Sequence, residues 1–186
     1  MPRKVGLETP VGTITSEIVA YDNPFFRVLE RVVTLSDGTV REPQLLWDSI
    51  GKSFAIAVTT DEEGFSIVVE ENKYAQMQRM ISEATGAVKK GEDALAAAQR
   101  ELLEETGYVS DEWTVLMASP LIDFADKRDG AEHFLFRAQN ARKVAEPKNP
   151  DQVVLRLRYS EMLDAIRAGR VPAMSAAAFL LSLTSA

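Results

Sequence analysis

The chain has 186 residues, 46% of them hydrophobic, a formal net charge of -7 and no cysteine. That length and apolar content suit one compact domain with a sizeable core and argue against a disordered chain. The absence of cysteine excludes disulfides, thiol catalysis and cysteine metal sites, and the acidic balance disfavours non-specific nucleic-acid binding, which depends on basic groups neutralising phosphates. No apolar run reaches the roughly 20 residues of a membrane span, and Met1-Pro-Arg-Lys4 is not followed by the apolar core of a signal peptide. A cytoplasmic protein with neither membrane nor nucleic-acid partner is expected, and an anionic ligand would need local cations or a metal.

Residues 13–48 read as β-rich. Thr13–Ala20 leads to the turn-like Asp22-Asn-Pro24, Phe25–Leu35 has the β-branched and aromatic content of a strand, and Ser36-Asp-Gly38 closes it. A third strand runs from Thr39 towards Trp47, with Phe25, Phe26 and Trp47 read as packing residues. A second block comes next: strand Ser53–Thr60, hairpin turn Asp61–Gly64, strand Phe65–Glu71. Asn72-Lys73-Tyr74 and Arg79–Glu83 lead into Gly86.

Gly86–Tyr108 holds a turn, a helix and a cluster of acids. Asp93 suits a helix N-cap, Leu95, Ala98 and Leu102 recur at helical steps as a buried stripe, and Gly107 supplies the left-handed residue that ends the helix. Glu101, Glu104 and Glu105 then project from one side within a turn. Glu104 and Glu105 sit where the helix dipole disfavours negative charge, and Glu101 repels Glu105, each at a few tenths of a kcal/mol. A solvated charged face is the ordinary reading of such a run; a hard divalent cation held by carboxylate oxygens reverses the electrostatic sign.

The full spacing decides between them. Gly86, five residues, Glu92, seven residues, Arg100-Glu101, an apolar residue, any residue, Glu104-Glu105, any residue, Gly107, an apolar residue: these constraints coincide at a given start on the order of once in 10⁹. The stretch resembles, without departure, the Nudix box of the Nudix hydrolases. A P-loop is excluded, because Glu92-Asp93 stands after Gly91 where Lys-Ser/Thr would be required.

Beyond the box, Glu112–Ala118 and Glu132–Ala138 read as strands separated by the polar loop Ser119–Gly130. His133, the single histidine, falls inside a strand pattern and reads as structural. Zinc sites built from several histidines are excluded. Ala141–Asp151 is polar and contains Pro147 and Pro150, as a functional loop does. Val153–Leu157 makes a last strand, Ser160 caps a helix over Glu161–Ala168 that ends at Gly169, and Val171-Pro172 introduces an apolar helix through Leu183. The order of elements gives an α/β (α+β) fold with a mixed sheet flanked by helices.

The resemblance implies more: a Nudix α/β/α sandwich over residues 51–186, preceded by an N-terminal β extension over residues 1–50. It implies a site in which Mg²⁺ (or Mn²⁺) is held by Glu101, Glu104, Glu105 and the backbone carbonyl of Thr85, with Arg100 paired to Glu92 to orient the glutamates. The N-terminal strands are similar to those that members acting on ADP-ribose and nucleoside-diphosphate sugars use for dimerisation, which implies a homodimer and hydrolysis of a pyrophosphate bond to a nucleoside monophosphate and a sugar phosphate. The alternatives are a nucleoside-triphosphate pyrophosphohydrolase and a non-catalytic nucleotide sensor. Lys73 matches the basic residue that commonly follows the hairpin strand in these enzymes, and Arg79 is a second candidate for substrate binding. Ser82 stands where a substrate-binding glutamate is common, with Glu83 displaced by one to a surface or structural role. Ser119-Pro120 resembles a pair found in ADP-ribose pyrophosphatases, arriving a few residues early. Related enzymes often draw a general base from a late loop, where this chain offers Glu146, Asp151 and the uncharged Gln152.

Overall fold

The computed structural model describes residues 12–23, 27–41, 44–48, 53–74, 77–118, 121–122 and 132–184. Pro24, Phe25, Phe26, Ser119, Pro120 and the side chain of Trp47 lie outside the described residues. The described chain falls into two compact units, which divide between residues 48 and 53.

The first unit is an antiparallel sheet of three strands, β1 (Gly12–Asp22), β2 (Arg27–Leu35) and β3 (Gln44–Asp48), in that order. Its turn after Leu35 is built as the sequence asks. Gly38 takes φ +85°, and Asp37 Oδ1 accepts from the Thr39 N–H at 2.8 Å. The third strand is described over Gln44–Asp48, and Val40 makes an isolated bridge to Thr34. Strand β1 leaves Ile14, Ile18, Val19 and Tyr21 more than half exposed.

The second unit is built on a nine-stranded mixed sheet. Its strands are β4 (Ser53–Asp61), β5 (Ser66–Lys73), β6 (Gln78–Ser82), β7 (Ala84–Ala87), β8 (Tyr108–Val109), β9 (Glu112–Val115), β10 (Leu121–Ile122), β11 (Glu132–Lys143) and β12 (Val153–Leu157). The central path runs β10-β11-β4-β5-β12, with β4 and β11 parallel; β6 pairs with β5, β7 with β4, and β8 and β9 with β11. The β4–β5 hairpin closes through Asp61, whose carboxylate accepts from the backbone of Glu63 and Phe65, and through Gly64 at φ +82°.

Strand alternation divides two cores between the faces of this sheet. Ala55, Ala57 and Ala84 face Ala97, Ala98 and Leu102 of helix α1 (Ala94–Thr106), and the small residues on both sides let the helix lie close. Ile56, Val58, Val68, Ile81 and Leu135 face Met162 of α2 (Tyr159–Arg167) and Ala178 and Phe179 of α3 (Ala173–Ser182). The result is the expected α/β/α layering around a mixed sheet.

Several boundaries differ from the sequence reading: β9 ends at Val115 and not at Ala118, and β10 falls inside the expected loop Ser119–Gly130. Ser160 lies inside α2, because the Glu161 carboxylate accepts from the Arg158 N–H at 2.7 Å and starts the helix earlier. Strand β11 continues to Lys143, beyond the expected end at Ala138. A register shift after Ala138, with Asn140 at φ +51°, lets the strand bend and go on pairing.

Candidate active site

Helix α1 is fixed at both ends. Asp93 Oδ1 accepts from the N–H groups of Leu95 at 2.9 Å and Ala96 at 3.3 Å, filling two orphan donors. At the far end Gly107 adopts φ +76° and donates to the Leu103 carbonyl at 3.0 Å. Strand β7 runs beneath the helix, paired to β4, and its Gly86 comes against Glu101. A methyl group on Gly86 would lie 2.0 Å from the Glu101 carboxylate carbon.

Arg100 organises the start of the site. Its Nε donates to Glu92 Oε1 at 2.8 Å, Nη2 to Glu92 Oε2 at 3.0 Å and to the Ala87 carbonyl at 3.0 Å, and Nη1 to Glu101 Oε1 at 2.5 Å. One guanidinium thus ties the loop after β7 to two acids of the box. The Arg100 hydrogen bonds, with the Lys89 N–H adding a second donor, pull the Glu92 pKa down to about 2. Glu104 meets Lys148 Nζ at 2.6 Å, which lowers its pKa, and lies 3.7 Å from Arg100 Nη1.

Glu105 points inward. Its Oε2 accepts from the Thr85 N–H at 2.9 Å and its Oε1 from Gln152 Nε2 at 3.3 Å. Burial is the chief reason its pKa rises to about 7, and repulsion from Glu101 and Glu71 adds to it. Among the described residues, no basic side chain supplies the positive charge that so buried an acid wants.

The structure therefore brings together Glu92, Arg100, Glu101, Glu104, Glu105 and Thr85 on one flank of the sheet. Lys73 shares that flank through an ion pair with Glu71. Arg79 does not. It stands opposite Asn72 in the β5–β6 register, one position from Gln78, the partner of Lys73, and so faces the other side; there it pairs with Glu70, to which Arg170 also bonds. Glu146 pairs with Lys143 at 2.8 Å with its side chain 82% exposed, and Asp151 is likewise exposed. Glu146 lines the outer part of a cleft of about 460 Å³ that Gln152 also lines, and Asp151 does not line it.

Sequence reasoning missed Glu71 and Lys148, since neither belongs to a motif and each is defined by a contact across the fold. Glu83 is not on the surface but fully buried. Neither carboxylate oxygen makes a well-formed hydrogen bond, and burial pushes its pKa well above the usual range, only partly offset by the Thr59 backbone. It stands at the junction between β6 and β7, beside the Thr59 backbone of β4. His133 is buried and stacks on Phe54 with ring centroids 5.3 Å apart.

A NUDIX domain family model matches residues 51–174, two thirds of the sequence. The chain belongs to the Nudix family. It is accordingly a hydrolase acting on phosphoanhydride bonds. A solved structure described as "Crystal structure of ADP compounds hydrolase" is similar with a TM-score of 0.81 and 19% identity, over 95% of this chain and 94% of that one, which shows a shared fold. No curated protein matches the sequence.

Nudix hydrolases use divalent metal ions, and the donor set fits one: several carboxylates with hard oxygen ligands, and a glycine at position 86 that lets the Glu101 carboxylate lie against the backbone of β7. Among the described residues no three acids converge on a single point. Each is instead held separately, Glu101 by Arg100, Glu104 by Lys148 and Glu105 by Thr85 and Gln152.

Proposed function

We propose that this Nudix hydrolase cleaves the pyrophosphate bond of ADP-ribose or a nucleoside-diphosphate sugar, releasing a nucleoside monophosphate and a sugar phosphate. The observation that carries the reading is the inward-facing Glu105, buried beside other acids and held by an amide and a backbone N–H, on a helix whose other box acids line the same flank. Such a carboxylate is costly unless it grips positive charge.

A phosphoanhydride resists water because its anionic oxygens repel nucleophiles. Glu101, Glu105, Glu104 and the Thr85 carbonyl would hold Mg²⁺ or Mn²⁺, which would supply neutralisation of those oxygens and acidify the attacking water. The chain's own groups do the rest. Arg100 and Glu92 keep Glu101 turned towards β7. The Thr85 N–H fixes one oxygen of Glu105 and leaves the other facing Gln152. Among the described residues, Lys73 and Lys148 on the box flank are cations available to substrate phosphates once they leave their glutamate partners.

The substrate class rests on two further supports. The solved structure of similar fold is described as an ADP compounds hydrolase. The chain also carries a three-stranded N-terminal sheet with an apolar exposed strand, which suits dimerisation and is superfluous in a minimal triphosphate hydrolase. We accordingly place residues 1–50 in a homodimer interface and the protein in the cytoplasm. Incubating the purified protein with Mg²⁺ and a panel of ADP-ribose, nucleoside-diphosphate sugars, dinucleotides and triphosphates, with products separated by chromatography, tests the reading. Preferred release of a monophosphate and a sugar phosphate supports it, and cleavage of triphosphates alone refutes it. Light scattering tests the dimer: a mass near 20.5 kDa would contradict it.

A further inference from the structure

We propose that Glu71, held in place by Gln152, is the general base that takes a proton from the attacking water. The proposal rests on the hydrolytic reading above. Three observations carry it.

The carboxylates of α1 are committed elsewhere. Glu101 bonds to Arg100, Glu104 to Lys148 and Glu105 to the Thr85 N–H. As cation ligands they give up their lone pairs, which makes them poor proton acceptors.

The late loop does not supply a base either. Glu146 and Asp151 face solvent, and the residue turned inward is Gln152, whose amide can donate but cannot take up a proton.

That amide nevertheless points to a carboxylate. Gln152 Nε2 lies 3.3 Å from Glu105 Oε1 and 3.3 Å from Glu71 Oε2, so its two hydrogens divide between the two acids. Glu71 sits on rigid β5, opposite Met80 of β6, and its alternation with Glu70 puts it on the α1 face of the sheet. Lys73 Nζ meets its other oxygen, Oε1. A carboxylate oxygen has two acceptor positions, so the Gln152 N–H fills one on Oε2 and leaves the second for a water beside the box. The side chain is 23% exposed, open enough for that water to enter.

In the step itself a water O–H bond breaks and its proton passes to Glu71 Oε2. The freed oxygen lone pair forms a bond to phosphorus, and the bridging P–O bond breaks with its electron pair on the departing phosphate. Nothing is oxidised or reduced, and no further reactant is needed.

The test uses the full-length protein with ADP-ribose and Mg²⁺, beside calorimetric titration of Mg²⁺ alone. Glu71→Gln is isosteric; it is expected to lower kcat about a hundredfold or more while KM and Mg²⁺ affinity stay within about twofold. Adding Gln152→Glu restores a carboxylate one side chain away, and the double variant is expected to regain at least about tenfold over Glu71→Gln. Gln152→Leu keeps the base but frees it, and is expected to lower kcat about tenfold. A Glu71→Gln enzyme with near-normal kcat overturns the proposal and leaves the hydrolytic reading standing. So does a loss of Mg²⁺ affinity parallel to the loss of rate, which would make Glu71 a cation ligand, and so does a double variant without recovery. A wild-type protein that cleaves no compound of the panel removes the hydrolytic reading and the base with it.

Discussion

Gly86 and Glu101 are in contact across the gap between β7 and α1, with room for a hydrogen on the glycine but not for a methyl, whose carbon would sit 2.0 Å from the carboxylate. The backbone of Gly86 carries no positive φ, so its role is space and not conformation. Gly86→Ala is therefore expected to cost little stability, because the far end of a glutamate can move aside, and to weaken Mg²⁺ binding by about tenfold or more, because the end that moves is the ligand. Calorimetric titration beside a thermal melt separates the two. A variant with unchanged Mg²⁺ affinity would show that Glu101 does not bind the ion.

Arg100 makes four hydrogen bonds to Glu92, Ala87 and Glu101 in a planar fork. Lysine keeps the charge but cannot span those acceptors. Arg100→Lys is expected to lower kcat/KM by about ten- to a hundredfold with the fold retained, as for other groups that orient ligands without touching the substrate. Kinetics on ADP-ribose with circular dichroism as the control would check it, and full activity would contradict the orienting role.

The box, its caps and the hairpin were legible because each rests on local chemistry. Asp93 caps the helix that begins at Ala94, Gly107 takes a conformation other residues resist, and Asp61–Gly64 closes on itself. The roles of Glu71, Lys148 and Glu83 were not legible, because they depend on distant partners or on strand parity. Glu71 meets Gln152 across 81 positions and Lys148 meets Glu104 across 44. Strands β6 and β7 were also missed as separate elements: their apolar content is ordinary, and only pairing with β5 and β4 makes them strands. The length of β11 was hidden by Asn140, whose positive φ marks a bend that sequence pattern alone reads as an end.

Stability of the cation-free protein should depend on pH with a definite sign. Glu105 has its pKa raised from 4.5 to about 7 in the fold, so its penalty is absent below about pH 4.5 and grows as pH rises to about 7. The shift corresponds to about 3 kcal/mol as an upper figure. Glu83 is raised too and pulls the same way, whereas Glu92, lowered to about 2, contributes stability above 4.5 that is lost as pH falls through 2. In the presence of a chelator the melting temperature is expected to fall between pH 5 and pH 7, and Glu105→Gln is expected to reduce that fall. Mg²⁺ should offset it in the wild type. A melting temperature that rises over this interval would contradict the assignment.

Gly107 ends α1 and carries the late loop. Its φ of +76° and the 2.0 Å that would separate an added methyl from the Ala145 carbonyl leave no room for a side chain, and its own carbonyl accepts from the N–H groups of Val144 and Ala145. Gly107→Ala is expected to destabilise by about 3 kcal/mol or more, since left-handed strain adds to a clash with backbone. Denaturant unfolding would read it, and a loss below about 1 kcal/mol would contradict a steric role for the glycine.

The proposed function makes the acids of α1 a cation-dependent site for splitting a sugar-linked pyrophosphate. Its most direct test is product analysis of ADP-ribose incubated with the protein and Mg²⁺ in ¹⁸O-labelled water, in the wild type and in Glu105→Gln. AMP and ribose 5-phosphate, with ¹⁸O in one of them, are expected from the wild type only and only with the cation. Equal product formation by Glu105→Gln, or by the wild type in excess chelator, would contradict the claim.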